Sequence, residues 1–174
     1  MELSFNQILL DSYILVNTHG DNKVVGRVYE ISANYIYFSF QSLFGLDTSV
    51  CGVYNHYNKI YGLEFLEEIF ELENWEYDEL SGEWIEPTNR QISIRKNTDG
   101  YSKPWRVHID NSDMDSIGYM DFTYFHELQA YCNISGVKLQ FRLGSVNYAW
   151  KHYQEQLMAK VESEKSQENI NSEA

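Results

Sequence analysis

The first sixty or so residues place short apolar runs between polar breaks, at the spacing of strands. Tyr13 to Val16 is apolar, Thr18-His19-Gly20-Asp21-Asn22 is a turn, and Val24 to Ile31 alternates. Ser32-Ala33-Asn34 turns again, and Tyr35 to Phe40 is aromatic and β-branched. After Leu43 to Asp47 come Ser49 to Tyr54 and Ile60 to Leu63, separated by Asn55-His56-Tyr57-Asn58. With the amphipathic Glu2 to Leu10 in front, the pattern predicts one helix and then a five-stranded meander.

From Leu63 the period changes. Leu63, Leu66, Ile69, Phe70 and Leu72 fall at helical spacings with Glu64, Glu67, Glu68 and Glu71 between them. That predicts an amphipathic helix with a solvated acidic face, or a strand running into one. Trp75-Glu76-Tyr77-Asp78 and Glu83-Trp84-Ile85-Glu86 flank Leu80-Ser81-Gly82 as a β-hairpin or an ordered connector with aromatic anchors. Gln91 to Arg95 and Trp105 to Ile109 alternate as two strands around a polar loop. Ile92, Ile94, Trp105, Val107 and Ile109 then share a buried face, and Arg95, Arg106 and His108 share the other. A helix starting near Asp121 or Thr123 and ending at Gly136 comes next, followed by a strand from Val137 to Phe141. A last helix begins near Val146 or Asn147, with Tyr148, Trp150, Tyr153, Leu157 and Val161 as its apolar positions. The polar tail past Val161 is expected to fray.

The order of one helix and five strands, with Val24-Val25-Gly26-Arg27-Val28 and Asn34 in the following turn, resembles the Sm-like small barrel. The likeness covers residues 1–66. The family's second signature, an Arg-Gly pair between its fourth and fifth strands, is replaced here by Asn55 to Lys59. The resemblance implies a Sm/SH3-like five-stranded small barrel, ring assembly and affinity for single-stranded RNA. The whole chain reads as α+β: the barrel over 1–66, an acidic aromatic connector over 67–89, an α+β unit of ββαβα order over 90–161, and a disordered tail over 162–174.

Charge decides which partners are expected. The 174 residues carry a formal charge of -13, and ten acidic residues with no basic ones lie between Glu64 and Glu86. Such a surface repels phosphate backbones and suits a basic protein groove, so direct nucleic-acid binding is not expected. Glu67, Glu68, Glu71, Trp75, Glu76, Tyr77, Asp78, Glu79 and Trp84 form the candidate docking strip, with carboxylates for steering and rings for contact area. The competing reading is a solvated acidic face over buried tryptophans. In size and charge the chain resembles the compact acidic proteins of phages and mobile elements that mimic nucleic acid and inhibit restriction or CRISPR complexes. The expected function is a non-enzymatic interaction protein for a basic, nucleic-acid-handling complex. The alternatives are an Sm-like RNA-binding regulator and an intracellular phage-defence or toxin-related factor.

Basic residues gather after Arg90, where Arg95, Arg106 and His108 would bind phosphate or answer the protein's own acidic strip; the internal role is favoured. The oxygen-rich loop Asp110 to Ser116 is the best metal candidate by composition. An EF-hand register begun at Asp113 fails, because Ile117 and Tyr124 fall where oxygen ligands are required. Asx turns ahead of a helix explain the loop, and no metal or cofactor is expected. His126-Glu127 begins an HExxH pattern, but Ala130 occupies the second histidine's place. The pairs His108 with Asp110 and His126 with Glu127 are too common to specify a hydrolase. Cys51 and Cys132 lack CxxC spacing and read as two buried thiols. The start has no signal-peptide features and no stretch is apolar enough to span a bilayer, so a cytoplasmic protein without a membrane partner is expected.

Overall fold

The computed structural model describes residues 2–3, 8–17, 23–32, 35–41, 48–54, 60–88, 90–98, 100–110 and 117–172. Among them the chain is α+β, with two antiparallel five-stranded sheets and three helices. The first sheet is built from β1 (Tyr13–Asn17), β2 (Lys23–Ile31), β3 (Tyr35–Gln41), β4 (Thr48–Tyr54) and β5 (Ile60–Gly62), in the order β4-β3-β2-β1-β5. These are the five strands expected from the sequence. Among the described residues β4 and β5 are its edges and do not pair, so the sheet is open.

The expected N-terminal helix does not begin at Glu2. Glu2 bridges Tyr61, and the Leu3 amide donates to the Ile60 carbonyl at 2.7 Å, so residues 2–3 lie extended along β5. A helix of so few residues is marginal by itself, and a strand edge offers its backbone a ready partner. Residues 4–7 and Asn34 lie outside the described residues.

β1 is apolar without alternation because both its faces are buried. Ile14 and Val16 pack with Val28, Ile36, Phe38 and Ile60 on one side, while Tyr13 and Leu15 join the larger core on the other. Gly26 is needed for close approach: a Cβ there would lie 2.3 Å from the buried Phe38 ring. The β2–β3 register shifts between Val28 and Glu30, as a bulge would produce.

Between the sheets lies α1 (Glu68–Leu72), burying Ile69 and Phe70. The second sheet contains β6 (Glu76–Asp78), β7 (Glu83–Ile85), β8 (Ile92–Lys96), β9 (Trp105–Ile109) and β10 (Ile117–Phe122), in the order β10-β9-β8-β7-β6. Two differences from the sequence reading stand out. The acidic connector is not separate, since its hairpin supplies the last two strands of this sheet. The stretch expected to lead into a helix is β10, which pairs Asp121 with Arg106 and Phe122 with Trp105.

The helix that follows, α2 (Phe125–Ile134), therefore starts later. Glu127 fixes that start, its carboxylate accepting the amides of Thr123 at 2.8 Å and Tyr124 at 3.1 Å. Gly136 ends it with φ +72°, in the left-handed region. Val137 to Phe141 has the expected alternation of burial but no ladder among the described residues. α3 (Leu143–Ser172) continues past the point where the tail was expected to fray. Its second half, residues 158–172, holds no Gly or Pro and includes three Glu and two Lys, and in its first half Lys151 pairs with Glu155 one turn on. No helix among the described residues is long and apolar enough to cross a membrane.

The sheets meet where residues 63–65 run antiparallel to 123–125. The Phe65 amide donates to the Thr123 carbonyl and the Phe125 amide to the Leu63 carbonyl, each at 2.9 Å. Phe65 sits at the centre of the larger core, within 4.8–5.8 Å of the rings of Phe70, Trp105, Phe122, Phe125 and Phe141.

Candidate functional site

The acidic run folds into three pieces. α1 faces its apolar side inward. Its chain reverses at Asn74, and the hairpin turn is then held by Asp78, which accepts the Leu80 amide at 3.1 Å and the Ser81 hydroxyl at 2.8 Å. Those hydrogen bonds, Ser81's first, hold the Asp78 carboxyl below the usual carboxylate range. Asp78 is thus a turn former as well as a surface charge.

The tryptophans divide between two roles. Trp75 is buried at 7% exposure, stacked on Phe141 with ring centroids 6.0 Å apart, and presents almost no surface to a partner. Trp84 is half-buried and stacks on Phe70 at 5.0 Å with planes 9° apart, while the exposed Tyr77 leans on its ring at 4.9 Å. Cross-strand register puts Tyr77, Trp84, Ile94, Val107 and Met120 on the face turned to the core.

On the opposite face the register forms a charged row: Asp78, Glu83, Arg95, Arg106, Asp121. Arg106 binds Asp121 with two contacts, 2.7 and 3.1 Å, and Arg95 reaches Glu83 at 3.9 Å. Hydrogen bonding from Arg106 is the chief cause holding the Asp121 carboxyl below its usual range. The two arginines therefore have internal partners, and only Arg95 answers the acidic run itself.

Other cations reach that run from far along the chain. Lys96 pairs with Glu67 at 3.3 Å, Arg90 with Glu76 at 3.1 Å and Arg142 with Glu73 at 3.1 Å, while the His152 ring is hydrogen-bonded to Glu68. With Glu83, four of the ten carboxylates meet a lysine or arginine among the described residues. Glu71 and Glu79 are exposed and make no ion pair among the described residues. Surface pairs of this kind contribute about 0–1 kcal/mol each, so their main effect is to shape the field.

Where α1 faces α3 there is a cavity of about 360 Å³, lined by Leu66, Glu67, Glu68, Glu71, Trp84 and Tyr153. The structure thus brings three of the expected carboxylates and one expected ring into one concave place. Glu76, Tyr77, Asp78 and Glu79 lie on the hairpin and do not line it. Leu66, Tyr153 and His152 were not singled out for this site. The apolar period of the last helix marks Tyr153 as inward, but nothing in the sequence tells which element it would face.

Neither His108 nor His126 is hydrogen-bonded to its neighbouring acid among the described residues, and Glu127 is engaged by Lys103 at 2.6 Å besides the two amides. His126 is buried against Tyr124, and its Nδ1 has no hydrogen-bond partner among the described residues. Among the described residues no three His, Cys, Asp or Glu side chains converge as a metal site requires. Residues 111–116 of the oxygen-rich loop lie outside them, as does the Cys51 side chain. Cys132 is buried, and burial pushes its thiol up to about 12.

Burial also lowers the His126 pKa, ahead of the opposing effect of Glu127. The unfolded chain then takes up a proton near pH 6.5 while the folded protein resists until lower pH. Stability is full above about pH 6.5 and falls as the pH drops towards the depressed value. Thermal melts from pH 7 to 5 should show this decline, and His126→Phe should flatten it. Identical profiles for the two proteins would remove His126 as its source.

No family model, no curated protein and no solved structure matches this chain.

Proposed function

We propose that this protein is a non-enzymatic binding protein that presents its acidic aromatic surface to a basic, nucleic-acid-handling protein partner. The observation that carries the reading is the concave site between α1 and α3, where Glu67, Glu68 and Glu71 rim apolar walls of Leu66, Trp84 and Tyr153. Carboxylates around an apolar floor suit lysine or arginine side chains with their apolar stems. A net charge of -13 steers such a partner and repels nucleic acid, as a decoy for a phosphate-binding groove requires. Inhibition of a restriction or CRISPR complex is the role this chemistry fits, in line with the chain's likeness in size and charge to such inhibitors.

The test is charge reversal at exposed positions that hold no turn together. Glu67→Lys/Glu71→Lys/Glu79→Lys should keep its circular dichroism and lose the salt-sensitive capture of a basic protein from nuclease-treated lysate. Association with the isolated partner should slow on the order of 10- to 100-fold. Capture unchanged by the reversal would reduce the strip to solvated surface.

A second reading has one observation in its favour. The edges β4 and β5 are consecutive strands joined by residues 55–59, so pairing them would close the first sheet into the Sm-like barrel. RNA binding by that barrel would rest on few cations, since Lys23 lies over the Tyr61 ring and Arg27 is paired with Asp11 at 2.8 Å. A monomer in solution with no RNA mobility shift at low salt would remove it.

A further inference from the structure

Residues Val137 to Phe141 have the alternation of a strand without a strand's partner. Val137, Leu139 and Phe141 are buried, while Lys138 and Gln140 are exposed. The main chain is tied at both ends. The Val137 amide donates to the Cys132 carbonyl at 2.9 Å, the Tyr13 hydroxyl donates to the Phe141 carbonyl, and the Arg142 amide donates to Glu73 at 3.2 Å. Between those ties, Lys138, Leu139 and Gln140 make no main-chain hydrogen bond among the described residues. An extended segment held at its ends, with free N–H and C=O groups between, is a template for another strand.

Room for one lies alongside. A cavity of about 400 Å³ is bounded by Lys138, Leu139 and Gln140 and by Trp75, Pro87 and Thr88, with Glu73 and Glu86 also lining it. Pro87 has no N–H, so its wall is poorly suited to supply the missing ladder itself. Trp75 and Leu139 are buried beneath this place, so an incoming chain would be held by its main chain, and Glu73 and Glu86, the first already bound to Arg142, add negative charge around it.

We propose that residues Val137 to Phe141 are an acceptor edge for strand addition by an extended, lysine- or arginine-bearing segment of a protein partner. Charge selects this occupant over a second copy, because two chains of -13 repel each other. The sign of the partner's charge rests on the functional reading above; the edge itself does not.

Amide hydrogen exchange by NMR on the full chain tests it. In the free protein Lys138, Leu139 and Gln140 should exchange without protection. A blocked hexapeptide of alternating lysine and valine should slow exchange by about tenfold or more at alternate residues, as a ladder does. The same peptide N-methylated at alternate residues should give no such protection. Protection already present in the free protein, none at millimolar peptide, or equal protection by the N-methylated peptide would overturn the acceptor edge. Equal protection by an alternating threonine–valine peptide would overturn the charge assignment at this edge while the edge itself, and the functional reading, stand. Peptide binding that vanishes in Glu67→Lys/Glu71→Lys/Glu79→Lys and never protects residues 138–140 would leave the functional reading and remove this one.

Discussion

Phe65→Ala should cost about 3–5 kcal/mol of stability, the typical range for removing a buried phenylalanine. Against a total of about 5–15 kcal/mol for a natural domain, that is enough to leave much of the protein unfolded near physiological temperature. The position is exacting for three reasons. Phe65 is 4% exposed and touches five other rings, so the cavity left behind is walled by large side chains that cannot all move in. Its carbonyl accepts the buried Trp105 indole N–H at 3.2 Å, and its amide makes one of the bonds that join residues 63–65 to 123–125. A looser backbone here would therefore also loosen a buried hydrogen bond and the junction. Urea unfolding followed by tryptophan fluorescence reads the effect. Phe65→Leu, which keeps most of the volume, should lose less than half as much. A loss below about 1 kcal/mol in Phe65→Ala would mean that the rings around it are not the common core of both sheets.

The sequence made the strands legible wherever apolar runs were short and bounded by turn residues. All five strands of the first sheet and both β8 and β9 fall where short apolar runs or a period of two predict them. β10 was hidden because Ile117-Gly118-Tyr119-Met120-Asp121-Phe122 mixes a glycine and a carboxylate into an aromatic run, just ahead of capping residues. Its strand conformation comes from pairing with β9, a tertiary preference that overrides local propensity. The Val137 to Phe141 segment shows the reverse case, a local pattern that satisfies strand rules while the ladder is missing. At the candidate site, the alternation of carboxylates and rings was plain, but its electrostatics were not. Arg142 and His152 reach Glu73 and Glu68 from 69 and 84 residues away. Only the path of the chain decides such meetings. The same holds for Trp75 and Trp84, equivalent in the sequence and separated in the fold by which one lies beneath Phe141.

Gln129→Leu should destabilise the protein by about 2–4 kcal/mol, although leucine is the more hydrophobic residue and the site is buried. Gln129 is 5% exposed and spans from α2 to β1, accepting the Tyr13 amide at 3.1 Å and donating to the Asp11 carbonyl at 2.6 Å. Leucine fills similar space but leaves the buried Tyr13 amide and the part-buried Asp11 carbonyl without this partner, at about 1–3 kcal/mol for the buried group and less for the other. Asp11 has φ 64°, outside the conformations most residues prefer, so the turn entering β1 depends on being held from outside. Gln129→Glu separates hydrogen bonding from packing. As a carboxylate it would still accept from Tyr13 but would face the Asp11 carbonyl with no proton to donate, and burial would raise its pKa above the unfolded value. A raised pKa means that the folded protein binds the proton more tightly. Measured against wild type at each pH, the variant should therefore be weakest at neutral pH and recover as the pH falls through that raised pKa, when the protonated acid restores the donor. A deficit that does not change with pH would assign the cost to shape alone. Recovery would show that one side-chain amide, unremarkable in the sequence, fixes how the helix of the second half seats on the first strand of the first.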